Sequence, residues 1–202
     1  SRLVADLHSY NSVIDAFGRE ARPREALIWL DKMENEGLRP ETVTHNTILN
    51  AFVRAGDAER AKMWFDDMRS SGVTISTTSI NSLLHAYGQT ANPKSAVDNF
   101  SLFQELNVEC DAFSYSHVID AFAKLGQSTK ATHWLDKMVR AGFAPGVVEI
   151  SSVLAAFSRH KDSAGSARFA TTFLNSGGVP DISFLNNVIE AFAKAGDKVG
   201  AV

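Results

Sequence analysis

The sequence predicts an all-α fold, a solenoid of stacked helix-turn-helix hairpins, and three observations predict it. Leu7 to Asp181 divides into five consecutive blocks of 35 residues, and a sixth block begins at Ile182. Aligned by block, Ala16, Ala51, Ala86, Ala121, Ala156 and Ala191 share one column, and Phe17, Phe52, Tyr87, Phe122, Phe157 and Phe192 share the next. Within each block, apolar residues fall at the fourth, seventh, eighth and eleventh places, which is the spacing of a helix with one buried face. A repeat of this length is one supersecondary unit that cannot bury its apolar surface alone, so neighbours must stack.

The elements follow block by block. In 7–41 the first helix carries Tyr10, Val13, Ile14 and Phe17, a break falls near Arg22-Pro23, and a second helix carries Ala26, Trp29, Leu30 and Met33. In 42–76 the same places hold His45, Ile48, Leu49 and Phe52, then the break at Gly56-Asp57, then Ala61, Trp64, Phe65 and Met68. Block 77–111 breaks at Asn92-Pro93, block 112–146 at Gly126-Gln127 before Ala131, Trp134, Leu135 and Met138, and block 182–202 at Gly196-Asp197. Block 147–181 carries Ser166 in the Ala column of the second helix. Gly37, Gly72, Gly142 and Gly177 close second helices with the left-handed residue common after a helix; the third block has Asn107 instead. The Ala column permits close helix approach and the aromatic and Met columns fill the core. Asp6 stands where an earlier block would end, and the sixth block stops about 14 residues short, so the chain reads as an excerpt of a longer array with 1–6 as the end of a preceding repeat.

Composition excludes several classes. With 45% hydrophobic and 21% charged residues the chain is neither disordered nor membrane-spanning. One cysteine, Cys110, rules out an internal disulfide framework. The histidines His8, His45, His85, His117, His133 and His160 show neither H-x-E with C-x-x-C nor H-E-x-x-H spacing, so no metal site and no cofactor is expected. Adjacent Asp66 and Asp67 point about 100° apart on a helix, which suits solvent better than acid–base work. No enzyme is expected in this segment. A net charge of -3 gives no bulk basic excess, so a claim for nucleic acid rests on where the charges are placed.

The placement is informative. The fifth place holds Asn11, Asn46, Asn81, Ser116, Ser151 and Asn186, off the apolar stripe, and the ninth and thirteenth places share its side of the helix. The thirteenth place holds Arg19, Arg54, Gln89, Lys124, Arg159 and Lys194, a nearly continuous basic row. Stacked hairpins repeat at roughly 10 Å, the packing distance of helices, a step an extended single strand can match with one nucleotide. Asn offers a donor and an acceptor and Ser one hydroxyl, which suffices to discriminate base edges, while the cations would meet phosphates. Capping by Asn or Ser and dipole pairing by Lys or Arg explain either column singly. Neither explains why six fifth-place residues include only Asn and Ser.

With this period, the Asn/Ser column, the block ends Arg39-Pro40-Glu41, Ala144-Pro145-Gly146 and Val179-Pro180-Asp181, and segments such as SYNSVIDAF and VTHNTILNAF, the chain resembles the pentatricopeptide repeat family from Leu7 to Val202. A tetratricopeptide array would have a 34-residue period and a W-x2-L-G-x2-Y pattern, which is missing. The resemblance implies a right-handed solenoid that binds single-stranded RNA, one nucleotide per repeat, read by the fifth and last residues of each block. Carried over, Asn81 with Asp111 reads U, Asn46 with Ser76 leans to C, and Ser151 with Asp181 reads G. Asn11 with Glu41 and Ser116 with Gly146 depart from the usual combinations, and the partner of Asn186 lies past Val202, giving x-C-U-x-G-pyrimidine. Val43 and Val148 fit the second-place aliphatic that sandwiches each base; His8, Thr78, Phe113 and Ser183 do not. Arg19, Arg54, Lys124, Arg159 and Lys194 would contact phosphates, while ninth-place Asp15, Asp120 and Glu190 oppose them.

Two functions compete. One is an RNA-binding adaptor on an organellar transcript or ribosomal RNA, acting in RNA processing, stability or translation, with mitochondrion or chloroplast implied by the resemblance alone. The alternative is a structural, protein-binding repeat subunit of a larger ribonucleoprotein or membrane complex. Neither calls for a small-molecule substrate or direct membrane insertion.

Overall fold

The computed structural model describes residues 6–175, 177 and 179–196, and every regular element among them is helical. First helices α1 (Leu7–Arg19), α3 (Thr42–Arg54), α5 (Thr77–Gln89), α8 (Ala112–Lys124), α10 (Val147–His160) and α12 (Ile182–Ala195) each start 35 residues after the last. Between them lie α2 (Pro23–Asn35), α4 (Ala58–Ser70), the pair α6 (Pro93–Phe100) and α7 (Leu102–Glu105), α9 (Ser128–Arg140) and α11 (Ser163–Asn175). Residues 1–5, including most of the expected preceding repeat end, and 197–202, the tail of the sixth block with Asp197, lie outside the described residues.

Two compact units divide the chain. Residues 1–86 with 98–110 form one, and 87–97 with 111–202 the other, so α5 and α6 each contribute to both. In the first unit Ile14, Met33, Ile48, Leu49, Phe65, Met68, Ile80, Leu83 and Leu84 are fully buried, with α1 packed on α2 and α3 and α3 on α4. In the second, α10 packs on α8, α9 and α12 around Ile119, Met138 and Leu154. Ala51, Ala86, Ala121, Ala156 and Ala191 are buried, whereas Ala16 on the first helix is exposed. Ser166 is as buried as the alanines of its column, but its hydroxyl has no hydrogen-bond partner among the described residues. Asn99 occupies the Trp place of the third block and is itself buried.

The turns repeat as strictly as the helices. Backbone φ is positive at Ala21, Gly56, Ala91, Gly126, Lys161 and Gly196 in mid-block, and at Gly37, Gly72, Asn107, Gly142 and Gly177 after the second helices. Only some of these are glycine. Stacking therefore holds a non-glycine residue in the left-handed region wherever the hairpin demands it.

Candidate nucleic-acid interface

The last residue of a block is the N-cap of the next first helix. Asp6, Asp111 and Asp181 accept from the N–H groups of Ser9, Ser114 and Phe184 at 2.8, 2.9 and 2.7 Å, and Glu41 and Gly146 precede α3 and α10 in the same extended conformation. A carboxylate there satisfies an orphan donor and faces the positive helix end, so acidic residues in this column have a capping cause of their own.

Each fifth-place residue sits one turn into the helix, half-buried in all but Asn186, which is exposed. Three of them are latched across to the following block. Thr44 Oγ1 donates to Asn11 Oδ1 at 2.7 Å, Ser79 Oγ donates to Asn46 Oδ1 at 2.8 Å, and Ser116 Oγ donates to a carboxylate oxygen of Glu149. The latching residue also receives the N–H of the last residue of the preceding block: Glu41 N to Thr44 at 3.2 Å, Ser76 N to Ser79 at 3.2 Å, and Gly146 N to Glu149 at 2.8 Å. The two candidate reading positions of a block are thereby joined through one third-place side chain. Ser151 makes no side-chain hydrogen bond among the described residues, and the third place after it is the buried Phe184. Asn81 is half-buried on α5 and engaged. The third-place residues were not singled out from sequence, although Ser9, Thr44, Ser79, Ser114 and Glu149 form a visible polar column.

Around the fifth places the face is mixed. Val43 and Val148 are 65% and 69% exposed, and Phe113 stands equally free at 67%. The ninth-place acids pair with the thirteenth-place bases one turn on: Asp15 with Arg19 at 2.7 Å, Asp120 with Lys124 at 2.8 Å, and Glu190 with Lys194 at 2.6 Å. Lys124 also donates to the Gly88 carbonyl at 2.8 Å and Arg159 to the Ala123 carbonyl at 3.1 Å, closing helix C-termini in the preceding block. Arg54 is exposed and makes no ion pair among the described residues. Of the five thirteenth-place cations, Arg19, Lys124 and Lys194 are thus ion-paired on their own helices.

In the second unit these residues converge. Asp120, Lys124, Val148, Ser151, Arg159 and Asn187 line an open depression of about 420 Å³ on the faces of α8, α10 and α12. Beside it a smaller cavity of about 280 Å³ brings Ser151, Asp181 and Gly146 together over Ile150, Phe173 and Phe184. Such a surface offers hydroxyl and carboxylate groups to a base edge, an aliphatic wall to its face, and cations within reach of a backbone. Among the described residues no group of three or more His, Cys, Asp or Glu could hold a metal, and no helix is long and apolar enough to cross a membrane.

Comparison with known proteins gives one consistent picture. A family model described as "Pentatricopeptide repeat-containing protein" matches residues 2–103 and 82–202. Among solved structures, the pentatricopeptide repeat protein PPR10 in complex with an 18-nt psaJ RNA element superposes with TM-score 0.83 at 23% identity, over 98% of this chain and 29% of that one. A second structure of PPR10, from maize, gives TM-score 0.65 at 20% identity, over 97% and 33%. The PPR domain of Arabidopsis thaliana protein-only RNase P 1, in complex with tRNA, gives 0.72 at 16%, over 90% and 96%. These likenesses show the fold class, that of helical-hairpin solenoids. The chain spans less than a third of the PPR10 length it matches in complex with RNA. No curated protein matches the sequence.

Proposed function

The chain belongs to the pentatricopeptide repeat family, and from that premise we propose that it is a sequence-selective single-stranded RNA-binding adaptor, one nucleotide per repeat, with repeats at 7–41, 42–76, 77–111, 112–146, 147–181 and 182–202. The observation that carries the reading is the depression on α8, α10 and α12, where Ser151, Val148, Lys124 and Arg159 share one open surface. Base edges would meet the fifth and last residues, base faces Val43 and Val148, and phosphates Arg19, Arg54, Lys124, Arg159 and Lys194. Two of the similar structures are described as bound to RNA, a single 18-nt element and a tRNA. The target motif is x-C-U-x-G-pyrimidine, the action is sequestration or exposure of an RNA segment, and the compartment is a mitochondrion or chloroplast. No bond is made or broken by this segment.

One observation favours a second reading, a protein-binding scaffold. The ion pairs of Asp15, Asp120 and Glu190 reduce the field an RNA backbone would feel, while Val43, Phe113 and Val148 expose apolar surface.

Selection from a random single-stranded RNA pool at physiological salt tests the proposal. Enrichment of C-U followed two nucleotides on by G is the expected result, and Ser151→Asn with Asp181 retained should move that G toward U. A folded protein that enriches nothing sinks the RNA reading and turns attention to proteins.

A further inference from the structure

Resting on the RNA-binding reading above, we infer that the third residue of a first helix, as seen in α3, α5 and α10, is a specificity-determining position: it fixes whether the fifth residue of the preceding block offers a hydrogen-bond donor or an acceptor to the base. The direction of donation starts at the backbone. The N–H of a block's last residue can only donate, so it takes a lone pair of the third-place side chain: Glu41 N on Thr44, Ser76 N on Ser79, Gly146 N on Glu149. What that side chain then has left differs by residue type.

Thr44 and Ser79 have one proton left, and they give it to the amide oxygen of the fifth residue, whereas Ser114, which also takes the N–H of Asp111, donates to the Asp111 carboxylate at 3.0 Å. Thr44 donates to Asn11 Oδ1 at 2.7 Å and Ser79 to Asn46 Oδ1 at 2.8 Å. The hydroxyl of Thr44 is buried with its residue at 1% exposure, and Ser79 is at 0%, so water does not compete for these bonds. With its oxygen held, each Asn has its NH2 group left to offer a base, and that group pairs with a ring nitrogen that accepts, adenine N1 or cytosine N3. A glutamate in the same place has no proton to give. Glu149 accepts on both oxygens, from Gly146 N on one and from the Ser116 hydroxyl on the other. The proton of Ser116 stays inside the protein, claimed by Glu149 or by the Ala112 carbonyl at 2.9 Å, and only oxygen lone pairs face outward. Ser116 therefore suits a base whose ring nitrogen donates, guanine N1–H or uracil N3–H. Ser151, followed by Phe184 in the third place, has no latch and keeps both options.

This polarity rule assigns a role to residues outside the fifth and last columns. It also gives Ser116, whose last-place partner Gly146 has no side chain, a preference of its own.

The experiment uses the full chain and RNAs that differ only at the nucleotide facing one repeat, with A, C, G and U in turn. For the nucleotide facing Ser116, G and U are expected to bind about three- to tenfold tighter than A and C, the worth of one net hydrogen bond. Glu149→Thr supplies a hydroxyl that donates to Ser116, and the preference should shrink below about twofold or reverse. The reciprocal Thr44→Glu should turn the Asn11 amide over and invert preference at its nucleotide, leaving the others unchanged. Thr44→Ser must keep the original preference, and the isosteric Thr44→Val, without a proton, must lose it even if Thr44→Glu does not fold. If the unsubstituted chain discriminates but these variants weaken all four RNAs equally, the third residue only supports the helix and the inference is wrong. If the unsubstituted chain binds all RNAs alike, the RNA reading fails first and this inference goes with it.

Discussion

Replacing Lys161 by glycine should stabilise the protein, although it removes a side chain and adds none. Lys161 caps α10 with φ 58° and ψ 32°, its N–H turned back to the Phe157 and Ser158 carbonyls, and the following Asp162 N–H also reaches the Phe157 carbonyl at 3.0 Å. The same mid-block place holds Gly56, Gly126 and Gly196, so the hairpin asks for a left-handed residue and lysine meets the demand at a cost. That cost is about 1–2 kcal/mol for a residue with a Cβ. Glycine returns about 0.4–1 kcal/mol of it by loosening the unfolded chain. The Lys161 side chain is exposed and contributes no described ion pair, so the net gain is about 0.5–1 kcal/mol. For a chain of this size that corresponds to a rise of roughly 1–4 °C in Tm. Gly126→Ala is the counter-test, since its new Cβ would sit at φ 68° and 3.3 Å from the Arg159 Cβ, and it should lower Tm by a similar or larger amount. Urea and thermal unfolding followed by far-UV dichroism and tryptophan fluorescence give the comparison, two probes being needed because repeat arrays need not melt as one unit. A Lys161→Gly variant no more stable than the parent, beside a Gly126→Ala variant that melts normally, would refute the reasoning.

Three further outcomes are expected. His45, half-buried against Trp64, is held below its ordinary value near 6.5 by burial, with Glu34 pulling the other way. The unfolded chain then binds a proton more readily than the folded one, so this contribution is lost as pH falls through the ordinary histidine range and levels off below the folded value. His45→Tyr, the residue at this place in Tyr10 and Tyr115, should reduce the drop in urea midpoint between about pH 7.5 and 5.5; an unchanged drop would count against the assignment. Asp120→Asn releases Lys124 from its 2.8 Å ion pair and should strengthen RNA binding about two- to fivefold at low salt, the gain fading as salt rises. A loss of affinity, together with loss of a protein partner on Asp15, Asp120 and Glu190→Lys, would favour the scaffold reading. Gly165→Ala places a Cβ 2.6 Å from the Phe157 ring and 2.2 Å from the Asp162 carboxylate that caps its own N–H, and should cost about 1–3 kcal/mol in a urea melt.

Much of the fold was legible because its causes are local or periodic. Helix boundaries follow from apolar spacing, from Pro23 and Pro93 at helix starts, and from glycine after helix ends, all written within one block. The pairing of Asp15 with Arg19 and of Asp120 with Lys124 was also within reach, since it is an i,i+4 spacing on one helix. From sequence these acids appeared as charges opposing an RNA strand, whereas the structure shows them satisfied by their own neighbours. Left-handed Ala21, Ala91 and Lys161 were not foreseeable from residue type, because propensity argues against each and only the repeated hairpin geometry imposes it.

What the sequence determined by itself is the helical hairpin, its 35-residue repetition and the columns that face the core or the solvent, because short-range hydrogen bonding and hydrophobic period decide these. Tertiary structure decided the chemistry of the candidate reading face. Thr44 with Asn11, Ser79 with Asn46 and Glu149 with Ser116 meet across 33 residues, and the direction of each hydrogen bond is set by which partner still has a proton after the backbone N–H is satisfied.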